Sequence, residues 1–361
     1  MKNTFGNAVS ITLFGESHGP SIGCVIDGLA PGLPVDEGYI AQLLSKRRPT
    51  GAISTARQEA DPFVIESGVF NGRTTGTPIC IRIPNCDTRS GDYNRLARPG
   101  HADYTAHCKY HGYEDYRGGG HFSGRITAAL VAAAGIVIPA LERKGVHIGT
   151  HIRRLGGVED RAFERLNEDI TYLNGIDFPT LDGNAAERMK QTILSAKADG
   201  DSVGGILETA VSGLPAGVGE PWFDSVESVL SHALFSIPAV KGVEFGDGFA
   251  LADMQGSEAN DAFAVGANGV TTVTNHNGGI NGGITNGMPM VFRCAVKPTP
   301  TIGKPQNTVN LDNGEMTVLQ AKGRHDPCVV HRAAVVVTAV TALTLCDLLA
   351  TRYGTDWLGE V

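Results

Sequence analysis

Residues 333–350, AAVVVTAVTALTLCDLLA, decide how this chain is read. The run is close to the ~20 apolar residues that a membrane-spanning helix needs. It also carries three threonines, Thr338, Thr341 and Thr344, and an acid, Asp347. A helix apolar on all sides belongs either in lipid or in the core of a large protein, and nothing else in the chain resembles a membrane protein. The expectation is therefore a buried core helix. A second long apolar run, RITAALVAAAGIVIPALERKG at residues 125–145, predicts another one, bent or restarted near Pro139.

Two such helices need partners on several sides, and 361 residues are enough to bury them. The hydrophobic fraction of 42% with 19% charged residues fits a soluble globular chain. The 47 glycines are about twice the usual share and imply many tight turns or close backbone approaches. A formal charge of −8 argues against a nucleic-acid partner, so any anionic ligand must be held by a local group of cations. Seven cysteines without a C-x-x-C pair suggest neither a disulfide framework nor a zinc ribbon, and point to a reducing cytoplasm. The opening MKNTFGNAVSITLFGESHG reads as no targeting segment.

Around the helices, AVSITLFG, GCVIDGL and TPICIRI read as glycine-bounded strands, and VDEGYIAQLLSKRRP as a helix stopped by Pro49. Residues 50–98 otherwise read as loop. AAERMKQTILSAKADG predicts a further helix and SVGGILETAVSGLP a strand. No linker divides the chain, so one domain over residues 1–361 is expected.

The stretch DYRGGGHFSGR, residues 115–125, puts three glycines between two arginines ahead of a core helix. A helix start of this kind favours an anion, with Arg117 and Arg125 supplying charge on either side. GRHDPCVVHR, residues 323–332, repeats the device before the other helix. Two histidines stand in polar turns suited to proton transfer near neutrality: His18 in GESHG, and His101 in RPGHAD, two residues before Asp103. His101, His107 and His111 invite a metal reading, with His107 and His111 at the i, i+4 spacing of a zinc pair, but the H-E-x-x-H pattern is absent. No metal is expected.

FGESHG, RPGHADYTAHCKYHGYEDYRGGG, SIPAVKGVEFGDGF, NHNGGINGGITNGMP, KPTPTI and GRHDPCVVHRA together resemble the chorismate synthase family, in matching order along essentially the whole chain. The resemblance implies an α+β fold: a β-α-β sandwich with apolar helices buried between antiparallel sheets, assembled as a homotetramer. It implies a lyase that converts 5-enolpyruvylshikimate 3-phosphate to chorismate, the last common step of the shikimate pathway. The cofactor so implied is reduced FMN, with NADPH as a candidate reductant of it.

Carried over by motif, His18 would protonate the leaving phosphate, His101 would meet the flavin ring, and Asp326 would help remove the C6 proton. Arg47, Arg48, Arg125 and Arg324 would bind the substrate anions. Flavin contacts would fall on His121, Phe122, Ser123, Ala239, Gly282, Lys297, Pro298, Thr299, Pro300, Thr301 and Arg324. Three places depart from the family pattern. His121 and Phe122 stand where many members have arginine and serine. Ile53 and Ser54 stand where many have a further arginine, with Arg57 as the substitute within reach, and Pro238 replaces an asparagine. The competing readings are a metal-dependent hydrolase on His101, His107 and His111, and a non-enzymatic flavin-binding module.

Overall fold

The computed structural model describes residues 2–49, 51–55, 60–86, 95–266, 269–320 and 326–359. Two five-stranded sheets, antiparallel throughout, dominate it. The first runs in the order Thr4–Phe5, Ser10–Gly15, Ser21–Asp27, Ile79–Pro84, Val64–Ser67. The second runs Val240–Phe245, Met290–Val296, Gly205–Ser212, His147–Leu155, Val158–Glu159. Strands alternate as half-buried sheets must. Ile79, Ile81 and Ile83 are sealed from solvent while the residues between them are not, and Met290, Phe292, Cys294 and Val296 repeat the pattern in the second sheet. Each such buried side chain contributes about 1.5–3 kcal/mol.

The two apolar runs form helices Thr127–Arg143 and Val330–Tyr353, which pack on each other. The first lies against strands Ser21–Asp27 and Ile79–Pro84; the second lies against His147–Leu155 and Gly205–Ser212. Both are long and apolar enough to cross a membrane, yet 89% of each apolar window is buried inside the fold. The α+β sandwich expected from the family resemblance is what the chain forms.

The polar residues inside residues 333–350 are all answered. The Thr341 and Thr344 hydroxyls donate to the carbonyls of Val337 and Val340, one turn back in the same helix. Thr338 bonds to Thr150 of the second sheet. Asp347 is 2% exposed, and its carboxylate accepts from the backbone N–H groups of Asn7, Ala8 and Val9 at 2.7–3.0 Å. An unpaired carboxylate would not be tolerated at that depth.

The remaining expectations fare unevenly. The helix 37–47 starts on an Asp36 cap, whose side chain accepts from Gly38 and Tyr39, and ends on Lys46 and Arg47 as predicted. Helix Gly183–Ala198 and strand Gly205–Ser212 fall where expected. Helix Thr127–Arg143, however, runs unbroken through Pro139, because the lost hydrogen bond is outweighed by burial of nearly the whole helix. Residues 50–98 also hold strands Val64–Ser67, Val69–Phe70 and Arg73–Thr74 besides the expected one. At two to four residues each, they are too short for alternation to reveal them.

Candidate active site

Strand Ser10–Gly15 delivers residues 16–18 to the edge of a cavity of 1580 Å³ that penetrates to the central helices. His18, His101 and Asp326, from three distant stretches, all line it. Arg47, Arg48 and Arg125 line it too, whereas Arg324 and Arg57 lie outside the described residues.

The glycines 118–120 explain how two histidines meet there. All three adopt positive φ, which only glycine does at little cost. Gly118 lies directly on the His18 ring, where a β-carbon would overlap it. At Gly119 a β-carbon would stand 2.9 Å from Cε1 of His101. The triple glycine therefore makes room for both imidazoles, one on Gly118 and one on Gly119. To the expected anion-favouring turn between arginines this adds a packing role for the glycines. Arg117 is spent on Asp115, at 2.8 Å, and Arg125 turns to Asp61.

His18 is 8% exposed, with its Nδ1 3.0 Å from the Ser17 hydroxyl. That hydroxyl also reaches the carbonyl of Gly118 at 3.1 Å. A carbonyl only accepts, so the Ser17 proton directed at it leaves the oxygen lone pair to receive Nδ1–H of His18. His101 is held by Asp103, Nδ1 to Oδ1 at 2.7 Å, and Asp103 is gripped in turn by Arg98. Burial works against ionisation of Asp103, but the hydrogen bonds from Arg98 and His101 outweigh it and hold the carboxyl well below its usual range.

Asp61, which sequence reasoning missed, lies behind the arginines. Its side chain is wholly buried, its φ is +49°, and it pairs with both Arg47, at 3.1 Å, and Arg125. Arg125 also donates to Asn85 Oδ1 at 3.1 Å. A non-glycine residue at positive φ stores strain, and such strain gathers at functional sites. Ala239, on the cavity wall at φ +77°, is a second instance. Asp326 pairs with Arg332, another cavity-lining cation missed before, although it closes the GRHDPCVVHR motif. Asp326 Oδ1 is buried without a hydrogen-bond partner among the described residues.

Of the expected flavin contacts, His121, Phe122, Ser123, Ala239, Lys297, Thr299, Pro300 and Thr301 line the cavity. His121 is tied down by Nδ1 donating to the Gly15 carbonyl at 2.7 Å. Pro298 and Gly282 are not on the cavity wall. Pro298 packs on the far side of its segment against Gly204, and Gly282 sits in the turn between Ile280–Asn281 and Ile284–Thr285. Among the described residues no group of three His, Cys, Asp or Glu side chains could hold a metal ion. His107, from the zinc-spaced pair, turns to Glu114 instead, at 3.4 Å.

At 1580 Å³ the cavity exceeds the ~300–1,000 Å³ typical of a pocket for one small molecule. It has room for two ligands in contact. Its cations and its two histidines suit an anionic ligand that exchanges protons.

Comparison with known proteins agrees with this geometry. The family model described as chorismate synthase matches residues 9–350. The chorismate synthase of Aeropyrum pernix is 47% identical over 357 residues, covering 97% of this chain and 93% of that protein. That of Thermococcus gammatolerans is 47% identical over 359 residues, covering 99% of each. A crystal structure of chorismate synthase superposes with a TM-score of 0.78 at 29% identity, over 98% of this chain and 95% of the other. By sequence and by fold, the chain belongs to the chorismate synthase family.

Proposed function

We propose that the chain acts as a chorismate synthase, a lyase that eliminates phosphate from 5-enolpyruvylshikimate 3-phosphate to give chorismate. The allylic C3–O bond to phosphate breaks and the C6 hydrogen leaves as a proton, while the ring double bond shifts from C1=C2 to C2=C3 and a second forms at C1=C6, giving the conjugated diene. The observation that carries the reading is the convergence of His18, His101 and Asp326 on one cation-lined cavity. Reduced FMN, when bound, would supply an electron-rich ring that assists departure of the phosphate and would be restored within each turnover. The excess volume, the apolar wall from Phe122 to Ala239, and Lys297 with Thr299 and Thr301 beside it fit such a group.

In this reading Arg47, Arg48 and Arg125 hold the substrate anions, with Asp61 bracing Arg47 and Arg125. His18 gives a proton to the departing phosphate oxygen. His101 faces the flavin ring and Asp326 accepts the C6 proton. Arg324 belongs to the same group of cations by motif. The flavin contacts of Pro298 and Gly282, which do not line this cavity, rest on the family motif alone. The two central helices, each covering one sheet, pack on each other, which supports a single domain over residues 1–361. A homotetramer in the cytoplasm, with NADPH as the source of flavin electrons, completes the proposal from the family. The test is anaerobic phosphate release from 5-enolpyruvylshikimate 3-phosphate with and without chemically reduced FMN. Release only with reduced FMN is expected; no release in either case refutes the activity.

A further inference from the structure

We propose that Asp103, braced by Arg98, is a positioning residue that fixes the proton of His101 on Nδ1 and leaves Nε2 as the nitrogen presented to the cavity. The inference rests on the reading of His101 given above and deepens it, because it decides whether that ring accepts or donates.

Asp103 opens helix Asp103–Tyr110, and four donors converge on its carboxylate. Arg98 Nε reaches Oδ2 and Arg98 Nη2 reaches Oδ1, each at 2.7 Å. The backbone N–H of Arg98 adds Oδ2 at 2.9 Å, and His101 Nδ1 completes the set on Oδ1 at 2.7 Å. The fork holds the carboxylate in one orientation, and a guanidinium does not give up its proton. An ionised carboxylate only accepts, so the hydrogen of that short contact belongs to Nδ1. Arg98 Nη2 lies 3.0 Å from Nδ1 as well, but both are donors and both are directed at the same oxygen.

The backbone removes the remaining freedom of the ring. His101 N–H donates to the Arg98 carbonyl at 3.0 Å, closing a turn through Pro99 and Gly100. Lys297 Nζ donates to the Gly100 carbonyl at 2.5 Å and ties that turn to the opposite cavity wall. With Nδ1 committed, the Cε1–Nε2 edge is the one beside Gly119, where a β-carbon would be 3.2 Å from Nε2. His101 itself lines the cavity, and the lone pair its neutral ring can offer there is the one on Nε2. The ring becomes a donor there only as imidazolium, with Asp103 as its counter-ion. Asp103 is the residue through which the choice is made, since among the described residues no other acceptor lies against Nδ1.

Ring-nitrogen NMR on 15N-histidine-labelled chain without flavin tests this, at a pH where titration shows the His101 ring neutral. His101 is assigned by the signal lost in His101→Gln. The expected pattern is a protonated Nδ1 and an unprotonated Nε2. In Asp103→Asn the amide keeps the shape but can donate to Nδ1, so the pattern should move toward Nε2–H. Turnover with reduced FMN should then fall about 10–100-fold while KM changes less than about threefold. A wild-type ring protonated on Nε2 overturns the proposal without requiring any variant to fold, and an unchanged ring pattern in Asp103→Asn overturns it too. If the pattern is as expected while His101→Gln turns over at the wild-type rate, the proton assignment stands and the catalytic role of His101 falls.

Discussion

The ring of His101 lies against the α-carbon of Gly119, with room for a hydrogen between them and not for a methyl group. Gly119 also sits at φ +82°, where an L side chain is strained. Gly119→Ala therefore pushes the imidazole off its seat and adds about 1–2 kcal/mol of backbone strain. The expected result is a folded chain with a modestly lower melting temperature and turnover reduced at least about tenfold. Thermal melts beside phosphate release separate the two effects. Wild-type turnover in Gly119→Ala would mean that this contact does not position the ring.

His18 occupies a different niche, held by Ser17 and covered by Gly118. His18→Ala removes the proposed proton donor but none of the cavity residues expected to meet the flavin. General acid help is worth ~10²–10⁴-fold, and kcat should fall by that order. Reduced FMN, titrated anaerobically by fluorescence, should bind within a few-fold of wild type. A variant that loses flavin affinity and turnover together would show that His18 serves binding rather than proton transfer.

How far the sequence discloses this molecule depends on whether the signal is local. The core helices were legible because most residues of 127–142 and 330–350 are apolar and in fact buried. The strands near residues 10–15, 21–27 and 79–84 announced themselves through branched residues between glycines. Asp61 was not legible, since its two partners stand 14 and 64 residues away and nothing around it marks a buried acid. The purpose of the triple glycine was half legible. Unusual backbone could be read from the residues themselves, but not the fact that two histidine rings fill the space the missing side chains leave. The restart offered at Pro139 does not occur, because the rule behind it concerns isolated helices and this one is held by packing around it.

Asp347 joins the last helix to the N-terminal turn. Val9 immediately precedes the strand Ser10–Gly15 that carries His18 at its far end, so the contact anchors one end of a catalytic strand. Asp347→Ala strands three backbone donors, each costing about 1–3 kcal/mol when buried and unpaired. A loss of about 3–5 kcal/mol is expected, read as a lower denaturant midpoint at an unchanged slope. Asp347→Asn keeps one accepting oxygen and should lose distinctly less. Equal losses in the two variants would show that helix packing, and not the hydrogen bonds, is what the aspartate provides.

His331, one residue inside the same helix, predicts how stability depends on acidity. The ring is 5% exposed and stacks on Phe178. Its Nε2 bonds to the Ser54 hydroxyl at 3.0 Å, while its Nδ1 is buried with no partner among the described residues. Burial alone pushes its pKa from 6.5 down to about 4. Between those values the unfolded chain binds a proton that the folded chain excludes. The stability this residue contributes is thus complete above pH 6.5, falls as pH falls, and levels off below about pH 4. At 1.36 kcal/mol per pH unit the loss amounts to about 3 kcal/mol. His331→Gln removes the titrating group and retains a hydrogen-bond partner for Ser54. Its unfolding free energy from denaturant titrations should fall less steeply between pH 6.5 and 4 than that of wild type. Parallel curves for the two proteins would show that the buried imidazole is already charged in the folded state, and the assignment of His331 as a neutral core residue would fail.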